Sequence, residues 1–413
     1  MPATMTTVSS ILKEVYEGKV REQINNDVVA LRRIEKTSEG VTSEVGGKYV
    51  TFPIHTKRNS GVGARIELEA LPVAGQQAFN AARVALKYLY GLVRLSGQTM
   101  ELADKNFQAF ASALDLEMSG LKNDLAKDLN RQVYGDATGV IATTTAVGVG
   151  ALNANPFNVL ANTGSQYLEL GFQVDIWDAA QAALKASNRQ VTAINVTTGA
   201  TIFDGAAVNT VVGDVMVRTG SGIRGASASN PVANRELTGL KAIVAAGIVF
   251  NIDAATEPKW QSVVDSNAGT NRALSEGLMI LQVDRCRANG DTPTVIFTNL
   301  GVRRAYFNLL TQQRRFTGTM EFDGGFKGLA FSTDKGDIPV VVDVDCPYNT
   351  MYFINEPNMK VFRSEDFSFM NRDGSNWQRV IGFDAYEATM YSYQELATHR
   401  RNVHAVMRDI TEG

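Results

Sequence analysis

The feature that most constrains the fold is one apolar stripe in the first third of the chain. Between Glu101 and Tyr134, large apolar residues recur at spacings of three and four, the repeat of one helix face. They are Phe107, Phe110, Leu114, Met118, Leu121, Leu125, Leu129 and Val133. We predict a single helix over 101–134, about 50 Å long at 1.5 Å per residue and capped by Gly135.

The opposite side of this helix is predicted to be solvated. It carries charges of both signs, a pattern typical of an exposed helix face. The charged residues are Lys105, Asp115, Lys122, Asp124, Lys127 and Asp128.

Extended segments precede the helix. Strand-like runs at Lys48–Ile54 and Ala64–Leu71 flank a charged, glycine-containing tip at Lys57–Gly63, which predicts a long hairpin. Arg83–Leu95 alternates with period two and predicts a long strand. The first 45 residues combine a short amphipathic pattern with charged stretches and predict an arm that must lie on another surface.

The remainder of the chain predicts a mixed α+β architecture. A stretch of low charge after Gly135 predicts a crossover between two units. Helices are expected at Val174–Ser187, Asn271–Arg287 and Gly301–Gln313, and strands at TVIFT, Val340–Asp345 and Thr350–Ile354. A segment rich in Val, Thr and Gly after the first helix predicts an inserted β subdomain. The aromatic-rich segment GFDAYEATMYSYQELATHRR is expected to return as a strand to the sheet that begins before the long helix.

Composition limits the possible functions. A chain of 413 residues exceeds the ~250–300 at which single cores usually split, so two or more compact units are expected. The net charge of −3 argues against specific DNA or RNA recognition, which typically uses basic domains. There is no secretory signal and no apolar run of membrane-spanning length, so we expect a soluble protein of a cytoplasm with two free thiols, Cys286 and Cys346.

One candidate site for chemistry is the stretch PVVVDVDC. Asp343 and Asp345 are two residues apart and would share one face of a strand, a spacing that could chelate a cation. Since no histidine or third carboxylate lies nearby in sequence, a structural strand and turn is the favoured interpretation. The metal site remains the alternative.

Other residues give little basis for catalysis. His399 and His404 are five apart, which misses the pairing of helical zinc motifs, so both are expected to be solvated surface histidines. Cys286 continues a helical stripe with Met279 and Val283 and is expected to be a buried structural thiol. No phosphate-binding loop, dinucleotide fingerprint or nucleophile elbow occurs, and no catalytic, cofactor or metal residue is predicted.

The order of these parts resembles the major capsid proteins of tailed bacteriophages. Two stretches of the sequence are similar to sequences of that family: GLKNDLAKDLNRQVYGD and FKGLAFSTDKGDIPVVVDVDCPYNTMYFINEPNMKVF. The resemblance implies the fold named after phage Hong Kong ninety-seven. It maps onto an arm at 1–45, an extended loop at 46–82, a peripheral domain at 83–150 with its spine helix at 101–134, an axial domain at 151–375 with a β-rich insertion at about 188–228, and a C-terminal return at 376–413.

The implied function is a virion shell protein without enzymatic activity or cofactor. Its copies would form hexamers and pentamers of an icosahedral head, assembled in the host bacterial cytoplasm. The implied partners are a scaffolding protein, a portal protein, a possible decoration protein and non-specifically packaged double-stranded DNA, with no membrane. Expected subunit contacts are Lys57, Arg58, Arg65, Glu67 and Glu69 of the loop and Ile11, Leu12 and Val15 of the arm.

Two further expectations come from the same resemblance. Some family members join a loop lysine to a neighbour's asparagine, but no partners for Lys57 can be named from the sequence, so covalent cross-linking is expected to be absent. Because the chain begins almost at the arm, a separate scaffolding protein and little N-terminal cleavage are expected. The alternatives are an encapsulin-type compartment shell, which has the same fold, and a metal-dependent hydrolase that uses Asp343 and Asp345.

Overall fold

The helices of the protein include the predicted long helix. The computed structural model describes residues 27–38, 41, 49–98, 107–144, 157–158, 165–194, 200–206, 208, 210–221, 235–314, 329–364, 366–371 and 374–413. In these ranges the α-helices are α1 (Ala30–Arg33), α2 (Phe107–Val133), α3 (Leu240–Ile243), α4 (Glu276–Ala288) and α5 (Leu300–Arg314). None of them combines the length and apolarity that crossing a membrane requires.

Helix α2 confirms the predicted helix over its described length. Leu125, Leu129 and Val133 are buried, so the apolar stripe faces the core along the last turns. The predicted first turn at 101–106, and the side chains before Glu117, lie outside the described residues. Helices α4 and α5 confirm the two later helix predictions.

A first six-stranded sheet lies against α2. Its strands, numbered along the chain, are β1 (Glu35–Thr37), β4 (Lys87–Ser96), β18 (Met359–Arg363), β19 (Ser368–Phe369), β20 (Gln378–Arg379) and β21 (Ala385–Thr398). The long strand β21 pairs antiparallel with β4 from Ala385 opposite Ser96 to Gln394 opposite Lys87. This pairing confirms that the chain's end returns to the sheet that begins before the long helix.

A glycine allows the helix to approach this sheet closely. A Cβ atom added at Gly91 of β4 would lie 2.8 Å from Leu121 Cδ1 and 2.9 Å from Leu125 Cδ1 of α2. Any larger residue would therefore push helix and sheet apart.

A second six-stranded sheet is covered on both faces. It contains β13 (Val263–Asp265), β14 (Val295–Thr298), β15 (Ala330–Thr333), β16 (Gly336–Val342), β17 (Met351–Ile354) and β22 (Ala405–Met407). On β14, Ile296 packs in a cluster with residues of α4 and α5, whereas Val295 and Phe297 pack in a cluster with residues of α2 and α3. Burial on both faces explains why β14 and β17 are continuous apolar runs. Because β22 belongs here, the C-terminal return to the first sheet applies to β21 and not to the last residues.

A third six-stranded sheet forms the β-rich part of the chain. Its strands are β5 (Val140–Thr143), β6 (Phe157–Asn158), β7 (Gln173–Trp177), β8 (Leu184–Ile194), β9 (Ala200–Phe203) and β10 (Val215–Arg218). The helix predicted at Val174–Ser187 is wrong, since β7 and the start of β8 occupy it. Asp178 Oδ1 accepts hydrogen bonds from the Ala182 and Ala183 amides at 2.7 and 2.9 Å, which closes a turn in an alanine-rich segment that would otherwise favour a helix.

Two pairs of strands stand apart from these sheets. Strands β11 (Ile248–Val249) and β12 (Ile252–Asp253) form a short ribbon. Strands β2 (Val50–Lys57) and β3 (Ala78–Val84) form the hairpin that leads to the extended loop. The strand predicted over Arg83–Leu95 is confirmed for Lys87–Leu95, which lies in β4, but its first residues belong to β3, which ends at Val84 in a different sheet.

Candidate functional site

The extended loop is carried on the β2–β3 hairpin. The two strands pair antiparallel from Val50 opposite Val84 to Lys57 opposite Ala78, and residues 58–77 connect them without strand or helix. The second hairpin strand predicted at Ala64–Leu71 is therefore wrong. The chain turns there, since Leu68 has a φ of 66° and Arg65 Nε donates to the Ala70 carbonyl at 2.8 Å.

Two glycines bring the two sides of the loop together. A Cβ at Gly61 would lie 2.8 Å from the Gly75 amide nitrogen, and one at Gly75 would lie 2.9 Å from the Gly61 nitrogen. No side chain fits at either position, so the backbones can approach only with glycine. We call residues 62–74, beyond this contact, the loop tip.

The loop tip exposes large apolar side chains. Their exposed fractions range from 78 to 102%, and the residues are Val62, Ile66, Leu68, Leu71 and Val73. Scattered exposed apolar residues are ordinary, but a contiguous set on a projecting loop is typical of a contact surface.

The charged contact candidates of the loop are exposed. They are Lys57, Arg58, Arg65, Glu67 and Glu69. Two of them also brace the turn, because Arg65 donates to the Ala64 and Ala70 carbonyls and Glu69 Oε2 accepts from the Ile66 amide at 3.1 Å.

The last part of the arm is held on its own subunit. Val28, Leu31 and Ile34 are buried, and β1 pairs in parallel with β18. This part of the arm therefore buries its apolar residues on its own subunit. The candidates Ile11, Leu12 and Val15 lie outside the described residues.

Asp343 and Asp345 lie in a buried turn after β16 and not in a strand. The Asp343 carboxylate accepts hydrogen bonds from Asn130 Nδ2, from the Tyr134 hydroxyl at 3.1 Å and from the Ala30 amide at 3.0 Å. Asp345 Oδ2 accepts from Asn130 Nδ2 at 2.6 Å and from Lys127 Nζ at 3.0 Å. We call these five side chains the aspartate node: Asp343 and Asp345 come from the turn, Lys127 and Asn130 from α2, and Tyr134 directly follows α2.

The ionisable groups of the aspartate node are engaged in hydrogen bonds within the protein. Burial raises the pKa of Asp345 above its usual value, which the Asn130 and Lys127 donors only partly offset. Burial also raises the pKa of Tyr134 well above its usual value, so its hydroxyl stays a donor to Asp343. Both carboxylates are occupied by protein donors, and the described residues contain no group of His, Cys, Asp and Glu that could hold a metal. The structural interpretation is the one that this geometry supports.

The predicted solvated face of α2 is partly wrong. Asp128 is buried and pairs with Arg131 at 3.1 Å, and Arg131 pairs with Glu236 at 2.7 Å. Burial alone would lower the pKa of Arg131, but the carboxylates of Glu236 and Asp128 outweigh it and raise the pKa. Helical spacing could not reveal these partners because Glu236 is about a hundred residues away.

The histidine prediction is wrong for His404. Its ring is fully buried, where Nδ1 accepts from the Asn355 amide at 3.2 Å and Nε2 lies 2.8 Å from Thr398 Oγ1. Burial, reinforced by Arg400, lowers its pKa to about 3. His399 is half-buried and meets the ring of Phe52 edge-on. Both histidines are structural.

The two cysteines are free, as predicted, and both are buried, which was predicted for Cys286. Burial raises the pKa of Cys286 to about 12. Burial is also the main reason that the pKa of Cys346 lies well above its usual value. Thiols in this state are poor nucleophiles.

A second exposed apolar surface lies on the first sheet. Tyr88, Tyr90 and Leu92 of β4 project from the face opposite Gly91, so they point away from α2. Tyr393 of β21 contacts the Tyr88 and Tyr90 rings with centroids 5.0 and 6.1 Å apart.

Comparisons with known proteins agree with this architecture. Residues 215–381 match the family model of the SU10 major capsid protein. A subunit of the capsid of cyanophage A-1(L) matches with a TM-score of 0.61 at 14% identity, over 99% of this chain and 100% of that one. This likeness shows that the chain has the phage capsid fold.

Two other solved structures are more distant. A structure from Mycobacterium phage Bobi matches with a TM-score of 0.49 at 8% identity, over 99% of both chains. The holo-SrpI encapsulin complex from Synechococcus elongatus matches with a TM-score of 0.45 at 7% identity, over 100% of this chain and 97% of that one. No curated protein matches the sequence.

Proposed function

We propose that the chain is a major capsid protein of the tailed-bacteriophage type, and that its copies assemble as hexamers and pentamers into the icosahedral head around a double-stranded DNA genome. The phage capsid fold and the family match over residues 215–381 support this reading. A non-enzymatic role is part of the proposal, and the enclosure of the buried carboxylates, the thiols and His404 within the fold supports it.

The loop tip is the observation that carries the proposal. Its apolar side chains are exposed on the subunit, and burying one such side chain is worth about 1.5–3 kcal/mol. A projecting loop can bury them only against another molecule. In a closed shell of identical subunits each tip meets the same neighbour surface, so many modest contacts add up to a stable lattice.

Specific subunit contacts are part of the proposal. Exposed ion pairs from Lys57, Arg58, Arg65, Glu67 and Glu69 would contribute about 0–1 kcal/mol each and would chiefly set register between neighbours. Ile11, Leu12 and Val15 of the arm would add apolar contacts. The division into arm, loop, peripheral domain, axial domain and C-terminal return is proposed with the boundaries given above, although the third sheet already begins at Val140.

The proposed partners follow from the same role. They are a scaffolding protein, a portal protein and a possible decoration protein, with assembly in the host bacterial cytoplasm. A net charge of −3 suits a container that holds DNA without binding it tightly.

The two alternatives differ in support. An encapsulin-type shell would share the fold and differ in its contents, so the nucleic acid inside native particles separates it from a phage head. A hydrolase that uses Asp343 and Asp345 needs open metal positions. The Asp343 carboxylate instead accepts from Asn130, Tyr134 and the Ala30 amide, and Asp345 Oδ2 accepts from Asn130 and Lys127.

A tip variant tests the role of the loop. Leu68→Ser with Val73→Ser should leave dispersed subunits in sedimentation velocity under conditions in which the wild type forms shells. Leu170→Ser is the matched control, since Leu170 is 68% exposed but lies outside the loop. If the tip variant forms shells at wild-type levels, the loop tip is not needed for assembly and the proposed contact is wrong.

A further inference from the structure

A pocket of ≈ 170 Å³ opens between the first sheet, α1 and α2. Its walls include Arg32 from α1, Asn123 from α2 and Lys36 from β1, with Arg363 and Gln394 from the sheet. Neither the loop tip nor the aspartate node contributes to it.

The strand register explains why polar groups converge there. Lys36 is opposite Val361, and Arg363, two residues further along β18, is opposite Gln394 of β21. Side chains at these positions share one face of the sheet. Val361 packs in the same core cluster as Leu129 of α2, so this is the face that the helix covers.

The pocket has an excess of positive charge. Arg32, Lys36 and Arg363 line it against a single carboxylate, Asp366, which pairs with Arg363 at 3.1 Å. Burial lowers the pKa of Lys36, and repulsion by Arg363 and Arg32 lowers it further against the attraction of Asp366. The three cations thus outnumber the single carboxylate that lines the pocket.

An unpaired donor also lies within the pocket wall. Gln394 lines the pocket but is only 5% exposed, and its Nε2 has no hydrogen-bond partner in the structure as described. A buried amide donor without an acceptor costs about 1–3 kcal/mol, so a rotation of this side chain toward an acceptor in the pocket would remove a penalty.

We propose that this pocket binds one oxyanion, a phosphate or a carboxylate, with Arg32 and Lys36 as the charged partners and with Gln394 rotating its amide toward the bound group. Leu31, Ala126 and Phe367 provide an apolar wall, which limits the site to one small group. The site does not depend on the proposed function, because all its residues belong to one subunit.

Isothermal titration of the dissociated full-length subunit with inorganic phosphate tests the site. Binding at one site per chain is expected, and Lys36→Met and Arg32→Gln should each weaken it about tenfold or more, since a charge-assisted hydrogen bond is worth at least that factor. Lys57→Met is the matched control, because it removes an exposed lysine far from the pocket and should leave phosphate binding unchanged.

Two results would overturn the site: no phosphate binding by a folded subunit, or equal weakening by Lys36→Met and Lys57→Met. A second measurement, on assembled particles, identifies the source of the oxyanion. Phosphate that stays bound in assembled particles marks a free ion, whereas stoichiometric release on assembly marks replacement by a carboxylate of a neighbouring copy. Because binding is measured before assembly, failure of the site and failure to form shells are separate readouts.

Discussion

Asn130 donates from Nδ2 to Asp345 Oδ2 at 2.6 Å, although 215 residues separate them in the chain. The same Nδ2 lies 3.1 Å from Asp343 Oδ2, and Asn130 Oδ1 accepts from the Leu31 amide at 3.1 Å. One amide side chain of α2 thus joins the arm to the turn after β16. The aspartate node fixes the long helix relative to the second sheet.

Replacing Asn130 should be costly. Asn130→Ala leaves two buried carboxylates without their shared donor, and we expect the free energy of unfolding to fall by about 2–4 kcal/mol. Denaturant titration of the subunit measures this. Asn308→Ala, at an exposed position of α5, is the control and should change stability by less than about 0.5 kcal/mol. Equal effects of the two changes would show that the node does not stabilise the fold.

Replacing Arg401 should also lower the free energy of unfolding. It is fully buried and donates to the carbonyls of Ile243, Gly247 and Ala245 at 2.7, 2.8 and 2.5 Å, around the end of α3. Arg401→Met would leave these acceptors unpaired, and we expect a loss of about 3–5 kcal/mol in the same titration. Arg379→Met, at an exposed position, sets the baseline. A loss below 1 kcal/mol relative to that baseline, a threshold at the low end for an unsatisfied buried acceptor, would contradict the assignment.

Glu395 should make stability fall as the pH rises. Burial raises its pKa to about 7 from 4.5, despite attraction by Lys87 and donors from Thr238 and Leu396. The folded state therefore binds more protons than the unfolded state between pH 4.5 and 7, and up to about 3 kcal/mol is lost across that range.

Glu395→Gln tests this by mimicking the protonated acid. The variant should be more stable than wild type above pH 7, with a flatter profile below it. Glu117→Gln, which removes an exposed carboxyl of α2, is the comparison. A Glu395→Gln variant less stable than wild type at pH 8 would reverse the sign and refute the prediction.

His404 should act in the opposite direction. Its pKa falls to about 3 in the folded state from 6.5, so its contribution is fully present above pH 6.5 and is lost as the pH decreases toward 3. Protonation of Nδ1 would also break its bond from the Asn355 amide. His404→Gln should therefore remove part of the acid sensitivity in a pH series of melting temperatures, whereas exposed His55→Gln should not. If the melting temperature of His404→Gln decreases at low pH as steeply as that of the wild type, His404 does not cause the acid sensitivity.

The loop should not form covalent cross-links. Lys57 is the lysine nearest the loop tip and is exposed, and the sequence offers no identifiable asparagine and glutamate partners for it. Denaturing gels of mature particles should show one band at the subunit mass. A ladder of multiples that Lys57→Met abolishes would disprove the prediction.

The sequence predicts elements whose apolar period is unambiguous. The stripe ending in Leu129 and Val133 marks α2 because one face of a long helix must be buried. The alternation in β4 and β21 likewise predicts their sheet. Where a short polar side chain decides the local path, the pattern misleads, as at Asp178, whose side chain turns an alanine-rich segment away from a helix.

Some residues of the candidate sites could be predicted from the sequence and others could not. The exposed loop was predictable only in part: the charged, glycine-containing segment after the first strand lies in it, but so do residues 64–71, for which a strand was predicted. Asn130, Glu236 and Arg401 were not predictable, because their partners are about a hundred residues or more away in sequence. Buried polar contacts of that separation leave no local period, so only the folded chain brings them together.

The most direct test of the central claim is electron cryomicroscopy of the purified chain, alone and with a scaffolding partner. The account predicts closed icosahedral shells of tens of nanometres, with pentamers at the vertices and each loop tip buried on a neighbouring subunit. A homogeneous small oligomer with exposed loop tips under every condition would contradict it.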